Sequence, residues 1–229
     1  AAKIQTASDI LLVGNVGEEG AGDLRGMKYL FQKGPYKDKI KMFISLDPFG
    51  RGNDITTGGI GSKRYRVTFK GPGGHSYGSF GLVSPAFAMG NAIVKLSRLQ
   101  PPSRPKTTFN VGVVGGGTAV NAIPFESWME VDIRSESKDA LNKTVESFLK
   151  LVNEAAEEEN KARSTAQGKI EVDVRPIGDR PFGEIAIDAP IVQTASAVIR
   201  SFGMNPTYSW SSTDSNIPMS MGIPAITLE

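Results

Sequence analysis

The spacing of hydrophobic positions changes period twice along the chain. Ile10-Leu-Leu-Val13 is a short continuous apolar run, the pattern of a strand buried on both faces. Residues 22–32 follow helical spacing, with Leu24, Met27, Leu30 and Phe31 on one face, and Gly34-Pro35 stops that helix. Met42-Phe-Ile44 predicts the next buried strand, ending at Asp47-Pro48. Strand, helix and strand in this order build a mostly parallel α/β sheet. Residues 48–61 hold five glycines and predict a loop leading to a new domain.

From Arg64 the period becomes two. Tyr65, Val67 and Phe69 alternate with Arg64, Arg66, Thr68 and Lys70, which predicts a half-buried strand. Ser84-Pro85 is a helix start, with Ser as N-cap and Pro in the first turn. Ala86, Met89, Ile93 and Leu96 form its apolar stripe, and Pro101-Pro102 ends it. Strands follow at Phe109–Val113 and Met129–Ile133. Ser137 caps a long helix with Leu141, Val145, Phe148, Val152 and Ala155 in its stripe. The acidic tract Glu154–Lys161 reads as a solvated helix face, and Ile170, Val172 and Val174 as a last strand. The order is β-α-β-β-α-β, a ferredoxin-like split βαβ.

Pro176 to Gly183 reads as a second linker. Residues 190–202 predict a helix, and Thr207–Ser211 and Ile226–Leu228 predict strands. The fold expected is therefore α/β, interrupted by an inserted α+β domain. Residues 1–61 and 177–229 are the two α/β pieces and 62–176 the insertion. The opening Ala-Ala-Lys-Ile-Gln-Thr-Ala reads as the last turns of a helix, and the closing apolar run as a buried strand. Both point to a fragment of a larger protein.

Composition narrows the function classes. A content of 39% hydrophobic residues excludes a disordered chain, and no apolar run spans a bilayer. With 26 Lys+Arg against 24 Asp+Glu, the net charge of +2 makes no electrostatic case for nucleic acid or an acidic membrane. The absence of cysteine excludes disulfides, thiolate metal sites and cysteine nucleophiles. It leaves the compartment open, with cytoplasmic as the default. His75 is the one histidine, which limits every metal or acid–base scheme.

Chemistry concentrates in a few places. Glu18-Glu19 lie between glycines shortly after the first predicted strand, where α/β sheets bind ligands. Adjacent carboxylates there serve either as a metal ligand beside a general base, or as exposed acids at a helix start. Asp47 ends the next predicted strand and either faces the same crevice or makes an Asp-Pro turn. Gly71-Pro-Gly-Gly-His75-Ser76 lets backbone approach something closely, unless His75 is an idle loop residue. Gly115–Pro124, with Asn121, links two strands and is long for a hairpin loop. Arg134 lies on a polar strand face, placed to grip a carboxylate or to pair with a neighbouring acid.

Taken together, Gly17-Glu18-Glu19-Gly20, Ile44-Ser-Leu-Asp47, Gly71–Ser76, Gly116–Pro124, Val131-Asp-Ile-Arg134 and Ser212-Thr213-Asp214-x-Asn216 resemble the zinc-dependent exopeptidase and aminoacylase family, most closely its peptidase T-like branch. The resemblance implies two zinc ions per active site. It makes Glu18 the general base, and Glu19 and Asp47 metal ligands. His75 and Asn121 become oxyanion donors on a lid, or dimerisation, domain that pairs in a homodimer. Arg134 becomes the residue that binds a substrate carboxylate. The substrates implied are small peptides or N-acyl amino acids.

One departure matters. The family's site also uses a His-x-Asp motif and a bridging Asp before Glu18, and a second His after the last residue here. A chain with one histidine cannot supply them. The expectation is a piece of a di-zinc hydrolase that binds zinc weakly and is inactive alone. The alternative is a non-catalytic dimerisation or binding module.

Overall fold

The structure is a computed structural model and describes residues 5–47, 50 and 52–229. In chain order its elements are α1 (Arg25–Gln32), β1 (Phe43–Leu46), β2 (Asp54–Gly59), β3 (Gly61–Lys70), β4 (Gly74–His75), α2 (Pro85–Ser97), β5 (Thr107–Gly116), β6 (Ala122–Ile123), β7 (Glu126–Ser135), α3 (Lys138–Ala162), β8 (Glu171–Arg180), β9 (Gly183–Glu184), α4 (Pro190–Ser201), β10 (Thr207–Ser211), α5 (Asn216–Ser220) and β11 (Ala225–Leu228).

Period-two patterning delivers the antiparallel sheet. Its strand order is β5-β7-β3-β8, and all three pairings are antiparallel. Val67, Phe69, Met129, Val131 and Ile133 turn one way and meet α2 and α3. Ala88, Ala92 and Leu96 come from α2, and Leu141, Val145, Phe148, Val152 and Ala155 from α3. The Ser137 hydroxyl accepts from the Ala140 N–H, so the predicted cap of α3 is present. Ser84 opens α2 without a side-chain cap. Its own N–H donates to the Glu159 carboxylate, which also pairs with Arg163. Glu159 is only 7% exposed, so the acidic tract is not a wholly solvated face. A buried carboxylate is tolerated there because donors satisfy it.

The second sheet is mixed, ordered β1-β11-β2-β10 with β9 on β2. β1 runs parallel to β11, and β2 parallel to β10, while β11 and β2 are antiparallel. Ile55 and Ile226 pack under Ile191, Val192 and Ile199, which include the α4 stripe. Leu24, Met27 and Phe31 close over Ile217 and Phe43 on another core, with Phe31 and Phe43 edge to face at 5.5 Å.

Several expectations about elements fail. Ile10–Val13 forms no strand, and Leu12 is 91% exposed. A strand buried on both faces needs neighbours at both edges and layers on both sides, and the described residues supply neither. β1 exists, but as an edge strand: Ile44 is half exposed and Leu46 is 78% exposed. The predicted loop over 48–61 contains β2, buried in the middle of its sheet; Pro48, Phe49 and Arg51 lie outside the described residues. Its glycines misled the prediction. A Cβ on Gly58 would stand 2.2 Å from the Trp210 ring, so glycine is there to admit an indole. The linker at 176–183 is largely β8, which runs through Pro176 to Arg180 past a register shift. The opening helix falls mostly on residues outside those described, and residues 5–7 are not helical.

Candidate active site

Glu18, Glu19 and Asp47 line one pocket of about 230 Å³, together with Asn15, Ser45, Leu46, Thr213 and Asp214. It sits at the β1 edge of the mixed sheet. Asp47 directly follows β1, and its N–H donates to the Leu228 carbonyl. Thr213 and Asp214 belong to the turn between β10 and α5. Hydroxyls of Thr213 and Ser215 both meet the Thr227 hydroxyl at 2.7 Å, which draws this turn over the sheet. Asn216 completes the fastening by donating to the carbonyls of Ile60 and Pro181.

The loop bearing Glu18 and Glu19 is held from three sides. Gly26 donates its N–H to the Val16 carbonyl at 3.2 Å, while Asn15 donates to the Asp214 carboxylate at 2.6 Å. Arg64 of β3 donates to the Gly20 carbonyl at 2.8 Å, and the Asp23 carboxylate accepts the Asp179 N–H of β8. Arg180, the last residue of β8, reaches both the Glu18 carboxylate and its carbonyl. The antiparallel sheet therefore anchors the loop that carries the acids.

Burial pushes the Glu18 carboxyl up. Arg180 pulls it back, Glu19 and Asp214 add to the rise, and the net shift is upward. Asp214 is raised as well, first by burial and also by the charge of Asp47, against the opposing pull of Asn15 and Arg180. The pocket thus gathers four carboxylates, of which burial acts on Glu18 and Asp214. Among the described residues, no three His, Asp or Glu groups stand close enough together to hold a metal ion. The donors here are carboxylate oxygens, and a catalytic zinc takes three protein ligands, usually including histidine. The residues present do not by themselves fit a zinc ion.

The other three candidates lie on the antiparallel unit and do not line this pocket. His75 and Asn121 are brought together: β4 pairs with β6 so that His75 faces Ala122, and the Ser76 N–H donates to the Asn121 carbonyl at 3.0 Å. His75 Nδ1 accepts the N–H groups of Tyr77 and Gly78 at 3.2 and 3.3 Å. In the neutral ring this places the proton on Nε2, which leaves that nitrogen a donor. Arg134 pairs through Nε with Asp132 at 2.6 Å, and Arg64 holds the other carboxylate oxygen at 2.8 Å.

That cluster carries a pH dependence. Burial alone would raise the Asp132 carboxyl, but hydrogen bonds from Arg134 and Arg64 outweigh it and hold it below its ordinary 3.8. The stability it confers is fully present above the ordinary value and lost as pH falls through the lower folded value. The advantage of wild type over Asp132→Asn should therefore shrink as pH drops from about 5 to about 2, measured by urea unfolding at each pH.

Two residues at the pocket escaped the sequence reading. Arg180 was hidden in the supposed linker, and no local pattern marks it. Asp214 stood inside a matching motif without a role.

Comparison with known proteins now bears on these residues. Residues 57–160 match the model of the peptidase dimerisation domain of the M20 family. No curated protein matches the sequence. The fold is similar to the crystal structure of aminopeptidase PepT from Bacillus cereus, with a TM-score of 0.72 and 22% identity, covering 93% of this chain and 54% of that one. A tripeptidase from Staphylococcus aureus gives a TM-score of 0.73 at 22% identity, over 93% and 54% of the two chains. An aminobenzoyl-glutamate utilization protein from Klebsiella pneumoniae gives 0.60 at 18% identity, over 80% and 48%. The chain spans about half the length of these solved structures. No helix among the described residues is long and apolar enough to cross a membrane. The family likeness therefore rests on residues 57–160, under half of the chain, which match a peptidase dimerisation domain.

Proposed function

We propose that this chain is one part of a di-zinc hydrolase of small peptides, completed by polypeptide outside these residues. The observation that carries this reading is the convergence of Glu18, Glu19 and Asp47 on a single pocket beside a peptidase dimerisation domain. Zinc, if bound in a completed site, would supply Lewis-acid chemistry, and Glu19 and Asp47 would be two of the residues holding it. The residues present fall short of a zinc site, so this chain alone binds zinc weakly and is inactive.

The roles of its own residues follow from their chemistry. Glu18, with its carboxyl raised by burial, takes the proton from the attacking water. His75 Nε2 and the Asn121 side-chain amide donate to the oxyanion that develops on the scissile carbonyl. Arg134 binds the terminal carboxylate of the substrate, steadied by Asp132. His75 and Asn121 lie away from the pocket of their own chain, which suits donors offered to the site of a second subunit. The ferredoxin-like unit of residues 62–176 is then both lid and dimer contact, set between catalytic pieces 1–61 and 177–229. The edge strand β5 and helix α2 form the contact, since an unpaired edge satisfies its backbone groups by pairing.

A second reading is favoured by the lack of a three-ligand group among the described residues: a module that only dimerises or binds. Such a module has no need of Glu18, Glu19 and Asp47. Hydrolysis of a tripeptide and of an N-acyl amino acid, by this chain and by the completed polypeptide, separates the two readings.

A further inference from the structure

Arg180 stands where three parts of the chain meet. It is the last residue of β8 and pairs in register with Ser62 of β3, so the antiparallel ladder fixes its backbone. Its side chain is only 6% exposed. Nη2 donates to the Glu18 carbonyl. Nη1 donates to Glu18 Oε1 at 3.2 Å, and to the Ser212 carbonyl and hydroxyl at 3.3 and 3.2 Å. One planar group therefore grips the backbone and the side chain of Glu18 together, and ties both to the turn that carries Asp214.

The grip is itself clamped. Asn216 is fully buried and donates at 2.9 Å to the carbonyls of Ile60 and Pro181, the two points where the chain passes between the sheets. Its amide oxygen accepts the Thr213 N–H at 2.9 Å. The neighbours of Arg180 and of Ser212 are thus held by one side chain. Arg180 Nε, by contrast, is buried with no hydrogen-bond partner. A buried donor left unpaired is destabilising, so stability alone does not account for an arginine here.

We propose that Arg180 is a positioning residue for Glu18: its guanidinium holds Oε1 and the Glu18 carbonyl, and leaves Oε2 to take the proton from water. The proposal rests on reading Glu18 as the general base. Among the described residues, no donor holds Oε2. A catalytic group misplaced by about 1 Å can cost about 100-fold in rate, so a base on a loop needs such a grip. The grip requires the fork and not the charge alone. A lysine ammonium is a single point, and cannot hold the Glu18 carbonyl, its carboxylate and Ser212 at once from one strand end.

Two measurements test this. The first uses this 229-residue chain and needs no activity. Gly22 N–H donates to the Glu19 carbonyl at 2.8 Å and Gly26 N–H to the Val16 carbonyl at 3.2 Å, so their hydrogen exchange reports on closure of the loop around Glu18. Both amides should exchange about tenfold faster in Arg180→Gln and in Arg180→Lys, the scale expected for losing hydrogen bonds to a charged group. Amides of the central strand β7 should keep their wild-type rates. Unchanged loop exchange in both variants overturns the proposal. So does equal acceleration in β7, or failure of both variants to fold, since either makes Arg180 a residue of global stability. The second measurement uses the completed polypeptide and a tripeptide. Arg180→Lys should lower kcat about 10- to 100-fold with KM within about twofold. Added to Glu18→Gln, it should cost less than about twofold, because a residue that acts through Glu18 then has nothing left to position. An equal loss in both backgrounds overturns the proposal. A completed wild-type polypeptide without turnover removes the hydrolase reading and the proposal with it, whereas turnover with unchanged loop exchange removes the proposal alone.

Discussion

Glu18→Gln in the completed polypeptide should lower turnover about 100- to 10,000-fold, the usual cost of losing a general base. Zinc content should stay near wild type. Glutamine is nearly isosteric, can still accept from Arg180 through its amide oxygen, and cannot take a proton from water. The contrast is with the adjacent residue: Glu19→Gln should lose metal as well as activity, because a neutral amide is a poor zinc ligand. Steady-state rates on a tripeptide, with zinc measured on the same preparations, check both. Equal metal loss in the two variants would remove the distinction between base and ligand.

The second large effect is on stability. Phe148→Ala should destabilise the chain by about 3–5 kcal/mol, the range for deleting a buried phenylalanine and leaving a cavity. Phe148 is fully buried in α3, with the Tyr65 ring 5.8 Å away. It lies where α3 crosses the antiparallel sheet, among Val67, Met129 and Val152. Small domains are stable by only about 5–15 kcal/mol, so the substitution removes a large share. Urea unfolding should show a lower midpoint at an unchanged slope. A shift equivalent to less than about 1 kcal/mol would mean that the helix packs loosely on the sheet.

The parts of the fold visible in the sequence are those where one physical cause dominates. In the antiparallel unit each strand has one wet face and one dry face, so alternation at Tyr65–Phe69 and Met129–Ile133 reports the strand directly. The stripe of α3 is equally plain. β2 was hidden because two of its residues are glycines required by neighbours distant in sequence, Trp210 and Asn216. The end of β8 was hidden by Pro176, which sits next to a register shift where a strand accepts proline. Ile10–Val13 has the sequence of a core strand but lacks the surroundings that make one.

The same division holds in the pocket. Glu18, Glu19 and Asp47 were visible because carboxylates near the ends of predicted α/β strands are unusual without a task. Their convergence depends on the Thr213–Thr227 and Asn15–Asp214 contacts, which join segments far apart along the chain. Arg180 has meaning only through its partners. It ends a strand of one sheet and acts on a loop beside the other, and no spacing rule connects residues 18 and 180.

The central claim is that these residues hold part, and only part, of a hydrolytic site. It is tested most directly by measuring zinc stoichiometry and tripeptide hydrolysis side by side, for this chain and for the longer polypeptide proposed to complete the site. The account predicts weak zinc binding and no turnover by the chain alone, and two zinc ions with hydrolysis when completed. Stoichiometric zinc with turnover by the 229-residue chain, or a zinc-loaded completed protein that cleaves neither a tripeptide nor an N-acyl amino acid, would contradict it.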